Sequence, residues 1–184
     1  EGCLNHILRH ISGQMKVAPE HITKTVTRAM NKPDINHFDR FRKAFEKSQD
    51  GKKPRQYLVP YLMSGHPGCT IRDMISLAEY LRDTGLYTRQ VQDFTPAPLT
   101  ASTSMYATGL DHRTGKPVHV PKGREKKIQR AILHWKDPAN YQLVLEGLTI
   151  AGRKDLVGNK AGCLIPARKS GEIRAASKKN RGLL

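Results

Sequence analysis

Residues 56–74 read "QYLVPYLMSGHPGCTIRDM". Positions 57–63 are apolar on both faces, the pattern of a parallel strand covered on both sides. Pro60 inside the run removes one ladder hydrogen bond, which predicts a bulge or a neighbouring edge beside it. Ser64-Gly65-His66-Pro67-Gly68 then makes a tight turn of small residues. Thr70 is placed to cap a helix, and Asp73, three residues on, favours its first turn. Ile71, Met74, Ile75, Ala78 and Leu81 recur at helical spacing, and Gly85 is a natural stop. This strand, turn and helix set the class for the rest of the chain.

The flanks repeat the alternation. Upstream, residues 14–18 predict a short strand closed by Pro19. Ile22, Val26 and Met30 mark a helix stopped by Asn31-Lys32-Pro33, and Asn36 is predicted to cap another with Phe38, Phe41 and Phe45 along one face. Leu4, Ile7, Leu8 and Ile11 place a helix at the very start. Downstream, residues 89–94 read as a strand followed by a loop with Pro96 and Pro98. Such alternation predicts parallel β/α units with right-handed crossovers. Ligands of these units gather at the C-terminal strand ends, so 18–21, 64–70 and 92–95 are expected on one rim.

Beyond position 105 the pattern changes. Residues 106–122 read as a loop, with room for a short hairpin. Residues 124–135 are predicted helical, burying Ile128, Ile132 and Trp135. Asp137-Pro138 caps and opens a further helix through Leu148, stopped at Gly152. After Pro166 the Lys, Arg, Ser and Gly content favours disorder. The organisation expected is therefore 1–105, a helical appendage 106–166, and a basic tail 167–184.

Of the 184 residues, 38% are hydrophobic and 26% charged, as in soluble globular proteins. No apolar run approaches a membrane span. The start at Glu1 carries neither Met nor a basic-then-apolar leader, so no secretory signal is expected, and the opening helix suggests a chain cut from a longer one. Cys3, Cys69 and Cys163 are odd in number and far apart, which fits a reducing cytoplasm rather than a disulfide framework or zinc knuckle. Net charge is +16. Positions up to 105 hold 15 basic and 10 acidic residues, and those beyond hold 17 and 6. The excess, concentrated around 122–130 and 168–181, either is a solvated face or draws a polyanion such as nucleic acid.

Several chemistries fail on spacing. The turn at 65–70 lacks the Lys and the glycine spacing of a phosphate-binding P-loop. No serine lies in G-x-S-x-G. His6 and His10 stand four apart without a third ligand, so a metal pair is not expected. His21 and His66 each follow a strand and either bond a polar cofactor or fix the local turn. Glu20, a carboxylate at a strand end beside Pro19, needs a partner: a bound group, or an ion pair with Lys16 or a neighbour. Trp135 and Tyr141 near basic residues allow base stacking, while the Ile128–Ile132 stripe places Trp135 in a core.

Together these motifs resemble a known family. "SGQMKVAPEH" with the helix ending "MNKP" resembles the fourth strand and helix of the radical S-adenosylmethionine (SAM) barrel in YgiQ-type proteins. "QYLVPYLMSGHPGCTIRDM" resembles their fifth strand, loop and helix, and "RQVQDFTPAPLTASTSMYATG" their sixth strand and following loop. "GREKKIQRAILHWKDPANY" and "AGRKDLVGN" resemble the C-terminal domain those proteins append. The fold class implied is α/β: the back half of a radical SAM β/α barrel, parallel strands with covering helices, then a small helical domain and a basic tail.

The resemblance implies a SAM-cleaving enzyme with a [4Fe–4S] cluster held by C-x-x-x-C-x-x-C, from which a 5′-deoxyadenosyl radical attacks a substrate. That cysteine motif occurs nowhere in these residues, so the cluster ligands and the front of the barrel are expected elsewhere in the parent protein. The chain alone is expected to form no cluster and to be inactive. Carried over, the fourth-strand end offers Glu20 and Lys16 to the SAM ribose. The fifth-strand end packs Ser64, Gly65 and His66 around the adenine, and the sixth contributes Gln92 to Phe94. An open half-barrel is further expected either to rearrange or to self-associate at the strands 15–17 and 57–63. The rival function is a nucleic-acid-binding module acting through 106–184.

Overall fold

The computed structural model describes residues 2–51 and 54–167, apart from the side chain of Cys3. The basic tail beyond position 167 lies outside the described residues. The order is α1 (Gly2–Leu8), β1 (Gln14–Glu20), α2 (Lys24–Ala29), α3 (Ile35–Ser48), β2 (Tyr57–Ser64), α4 (Ile71–Thr84), β3 (Val91–Asp93), α5 (Ala101–Thr108), α6 (Gly123–Leu133) and α7 (Tyr141–Ile150). The three strands form one parallel sheet in the order β1-β2-β3. The chain is thus α/β, with helices joining neighbouring parallel strands.

The local signals around β2 hold. Thr70 and Asp73 close a capping box, and Gly85 ends α4 at φ 68°. Ile71, Met74, Ile75, Ala78 and Leu81 are all buried, joined by Leu77. The disruption expected at Pro60 falls on its partner strand: pairing slips between Val17, opposite Pro60, and Glu20. The Leu62 N–H bonds the Gln90 carbonyl on the β3 side, so the nitrogen of Pro60, two residues earlier, faces that side as well, and the slip itself lies in the edge strand β1.

Three expectations are corrected. Asp34, not Asn36, caps α3, and its carboxylate accepts the Asn36 N–H. Residues 101–108 are helical, capped by Thr100 and ended by Gly109, where a loop was expected. Only Met105 of this helix is buried, so no apolar repeat announces it. Finally, β2 is covered on one face only. Pro60, Leu62 and Ser64 are buried, while Val59, Tyr61 and Met63 are half-buried. The same side of the sheet carries Lys16 and Gln92, both exposed and paired in register with Val59 and Met63.

The covered face leads into a single core. Val26 of α2 and Leu62 of β2 join the apolar side of α4, Ile128, Ile132 and Leu133 of α6, Val144 and Leu148 of α7, and Leu156 to Ile165 beyond. This core crosses position 105 without a break. At the α6–α7 contact, a Cβ on Gly147 would stand 2.7 Å from the Ile128 side chain, so only glycine permits this approach. Trp135 and Tyr141 are 5% exposed. They are core residues, and neither ring is offered to a base. The hairpin expected within 106–122 appears as an isolated antiparallel bridge, Leu110 with Pro117.

Candidate functional site

Parallel pairing brings the C-terminal ends of β1, β2 and β3 to one rim, as expected. The β1 end is strained. Glu20 is a non-glycine residue at φ 64°, and the His21 N–H bonds the Pro19 carbonyl at 2.7 Å around it. An i→i+2 bond over a positive-φ residue is a tight γ-turn, and such a conformation costs on the order of 1–3 kcal/mol. The partner of Glu20 is Lys32, at 3.5 Å, rather than Lys16. Lys16 instead stands over the Tyr61 ring, 5.8 Å from its centroid. A single contact at this distance leaves the remaining acceptor sites of Glu20 open.

His21 fixes the next turn. It is 1% exposed, and its Nδ1 accepts the Thr23 N–H at the head of α2. That acceptor role leaves the proton on Nε2, which points at Cys69 Sγ, 3.6 Å away. Burial lowers the His21 pKa to about 4, with His66 adding to the shift and Asp73 opposing it. Burial also pushes the Cys69 thiol up, helped by Asp73 and Glu125. Cys69 is therefore a packed thiol, not a nucleophile.

The ends of β2 and β3 are clamped. Ser64 faces the covered side, and its hydroxyl donates to Asp93 at 2.5 Å. Arg130 of α6 bonds the other Asp93 oxygen at 2.7 Å. Burial alone would raise the Asp93 pKa, but Ser64 and Arg130 together hold it below the usual carboxylate range. Lys126 donates to the Phe94 carbonyl at 2.6 Å. Gln129, fully buried, accepts the Gly65 N–H at 3.0 Å and donates to the Cys69 carbonyl at 2.9 Å. Gly65 sits at φ 73°, and a Cβ there would press on the Lys126 side chain at 3.0 Å. Turn conformation and close approach of α6 both favour glycine.

His66 is buried beneath α5. Its Nδ1–H donates to the Pro67 carbonyl at 2.7 Å, and its Nε2 accepts the Ser102 hydroxyl at 2.8 Å. Burial lowers its pKa, against the Pro67 bond. Its ring meets Phe94 edge-on at 5.1 Å, and Phe94 meets Tyr106 at 5.8 Å. Of the seven predicted site residues, Lys16 and Gln92 share the open side of the sheet, and Glu20 stands at the β1 end, paired in register with Leu62. Ser64, Gly65, His66 and Phe94 are tied into contacts with α5, α6 and the end of β3. Gln129, Lys126 and Arg130 went unread as rim residues, because nothing in their local sequence connects them to a turn some 60 residues earlier. Among the described residues no group of three or more metal-ligating side chains occurs, and no helix is long and apolar enough to cross a membrane.

A model of a domain of unknown function, DUF3362, matches residues 89–182. Its range begins just before β3 and includes α6, the helix that clamps the rim. A UPF0313 protein of Methanosarcina acetivorans is 59% identical over 157 residues, covering 85% of this chain and 21% of the relative. The chain belongs to the UPF0313 family, the YgiQ-type proteins. A UPF0313 protein of Clostridium perfringens is 48% identical over 162 residues, 88% of this chain and 24% of the relative. One from Geobacter sulfurreducens is 49% identical over 161 residues, 85% of this chain and 27% of the relative. The chain therefore spans about a fifth to a quarter of the UPF0313 proteins it matches. No solved structure matches it.

Proposed function

We propose that the UPF0313 protein carrying this chain is a cytoplasmic radical SAM enzyme, and that this chain supplies part of its SAM pocket. The observation that carries the reading is the strained Glu20 turn on the rim of a parallel sheet with one face uncovered. Strain of this kind persists where surrounding structure holds a side chain for a task. A face bearing Lys16 opposite Val59, Gln92 opposite Met63, and Tyr61 between them is what a barrel wall offers before its remaining strands are added.

The side chains present fit SAM in part. Glu20 has acceptor capacity for a ribose diol, Gln92 is an exposed donor and acceptor, and Lys16 offers a cation beside an aromatic ring. The clamped residues contribute differently: the Gly65 N–H and Phe94 carbonyl are already satisfied by α6. Their part is to hold the rim rigid and dry on that side. When bound together, SAM and an iron–sulfur cluster would supply the radical chemistry, with the cluster ligands coming from outside these 184 residues.

SAM binding to the reconstituted full-length protein, followed by equilibrium dialysis, tests this. Glu20→Gln keeps the shape of the side chain and is expected to weaken binding by about tenfold, the worth of one charge-assisted hydrogen bond. Unchanged affinity removes Glu20 from the pocket. Absence of saturable SAM binding by the unaltered protein overturns the enzyme reading itself.

A further inference from the structure

On the side of α6 turned away from the clamped turn, the structure holds a second feature. A cleft of about 880 Å³ lies between the residues leading into β3, one face of α6 and the turn joining α6 to α7. Arg89 stands at the β3 side and Lys127, Arg130 and His134 along the helix, with Lys136 in the turn. Spacings of three and four residues put Lys127, Arg130 and His134 on one helix face. Tyr87 and Leu143 add apolar wall.

Unpaired cations occur elsewhere on this surface, Arg28 and Arg72 among them, but here Arg89, Lys127 and Lys136 line one concave wall together with Arg130. Elsewhere Arg42 pairs with Glu46, Arg82 with Asp83, Arg124 with Glu146, and Arg153 with Glu79 and Asp155. Arg89, Lys127 and Lys136 have no carboxylate partner among the described residues. Two acids accompany these cations, and Asp137 lines the cleft itself. Asp93 is bonded by Ser64 and Arg130, and Asp137 accepts the Ala139 N–H at the following turn. Lys136 lies over the Tyr87 ring at 4.6 Å, which holds an otherwise flexible cation at the wall of the cleft. Half-buried His134 is lowered in pKa by burial and by Arg130, with Asp137 and Asp93 opposing and Arg89 adding to the shift.

We infer that this cleft binds a ligand carrying at least two phosphate groups, through Arg89, Lys127, Arg130 and Lys136. A concave wall with three cations lacking a carboxylate partner, beside Arg130, which bonds Asp93 through Nη1, concentrates field and favours a dense anionic charge over a single carboxylate. Arg89 and Arg130 present forked donors that match phosphate oxygens, and the lysines act as point charges. Lys127 and His134 stand about 10 Å apart along α6, with Lys136 beyond, so one tetrahedral anion cannot reach every cation. The site meets the rim through Arg130, which also bonds Asp93, and the inference does not rest on the SAM reading. Pyrophosphate, a nucleoside triphosphate and a nucleic-acid backbone share the recognised chemistry.

The test titrates the full-length protein with three probes: inorganic pyrophosphate, ATP, and a fluorescein-labelled oligouridylate. Saturable binding of at least one is expected, weakening as salt rises. Saturation by pyrophosphate or ATP without the oligonucleotide assigns the phosphates to a small molecule. Saturation by the oligonucleotide alone assigns them to nucleic acid. Arg89→Glu with Lys127→Glu should weaken binding by at least about tenfold, and the conservative pair Arg89→Lys with Lys127→Arg should retain it. Lys24→Glu with Lys43→Glu, an equal charge change at exposed sites away from the cleft, should cost less than about twofold. Equal losses for the cleft and control reversals reduce the effect to net charge and overturn the inference. So does failure of all three probes to saturate.

Discussion

The two ends of the rim are built in opposite ways. At β1, Glu20 stands on a strained turn with one long contact to Lys32, at the end of a sheet whose other face is half-buried to exposed among the described residues. At β2 and β3, the turn at Gly65 and the ends at Asp93 and Phe94 are held by Gln129, Arg130 and Lys126 of α6. Every buried side-chain nitrogen or oxygen among the described residues has a partner, so the clamped side is fully satisfied. Among the strand-end residues the non-glycine positive φ belongs to Glu20, the other two such residues, Asn31 and Leu99, lying in connections. A pocket that needs one adjustable wall and one rigid wall would be divided along this line.

Breaking the clamped side should have the largest effect. Gln129→Leu leaves the buried Gly65 N–H and Cys69 carbonyl without partners, and is expected to cost about 3 kcal/mol. Urea unfolding checks this, and a loss under about 1 kcal/mol would mean that α6 is not what holds the turn.

Acid should act nearly as strongly through His21. Its folded pKa, about 4, lies below the ordinary value near 6.5. The unfolded chain therefore takes up a proton first as pH falls. The stability His21 contributes is complete above about pH 6.5 and lost progressively toward pH 4, up to about 3 kcal/mol. Urea midpoints measured across that range should fall, and His21→Gln should flatten the dependence.

Gly147→Ala forces a methyl group against Ile128 where α6 meets α7, for an expected loss of about 2 kcal/mol. Its melting temperature should drop while α4 and the sheet keep their amide protection. The smallest effect, and the one with the opposite sign, belongs to the open end. Glu20→Gly relieves the positive φ and should stabilise the fold by about 0.5–1 kcal/mol. It should also impair SAM binding. A variant that is neither more stable nor weaker in binding would erase the distinction between the two ends.

The unit from Tyr57 to Gly85 was legible nearly residue by residue, because its determinants are local. A threonine and an aspartate three apart close a box, and a glycine takes the left-handed position. Asp34 and Asn36 are both good caps two residues apart, and local preference does not choose between them. The α5 helix had no stripe to read, since Met105 is its only buried residue. Of the candidate site, the rim itself followed from strand order and parallel direction. Ser64 could not be assigned a face without the register that sets it beside Asp93.

The amino-acid order settled the alternation of strands and helices, the bounds of the unit from β2 to α4, the parallel direction, and the basic balance of the C-terminal part. Capping, turn chemistry and periodicity act over a few residues and so can be read along the chain. Packing decided which residues the rim leaves free. The pairing of Glu20 with Lys32, the placement of Gln129 between Gly65 and Cys69, and the convergence of Arg89 with the α6 cations join segments 12 to 64 residues apart. Those contacts form only when the α4–α6–α7 core brings the segments together, because desolvation makes buried polar groups find partners at whatever sequence distance the fold allows.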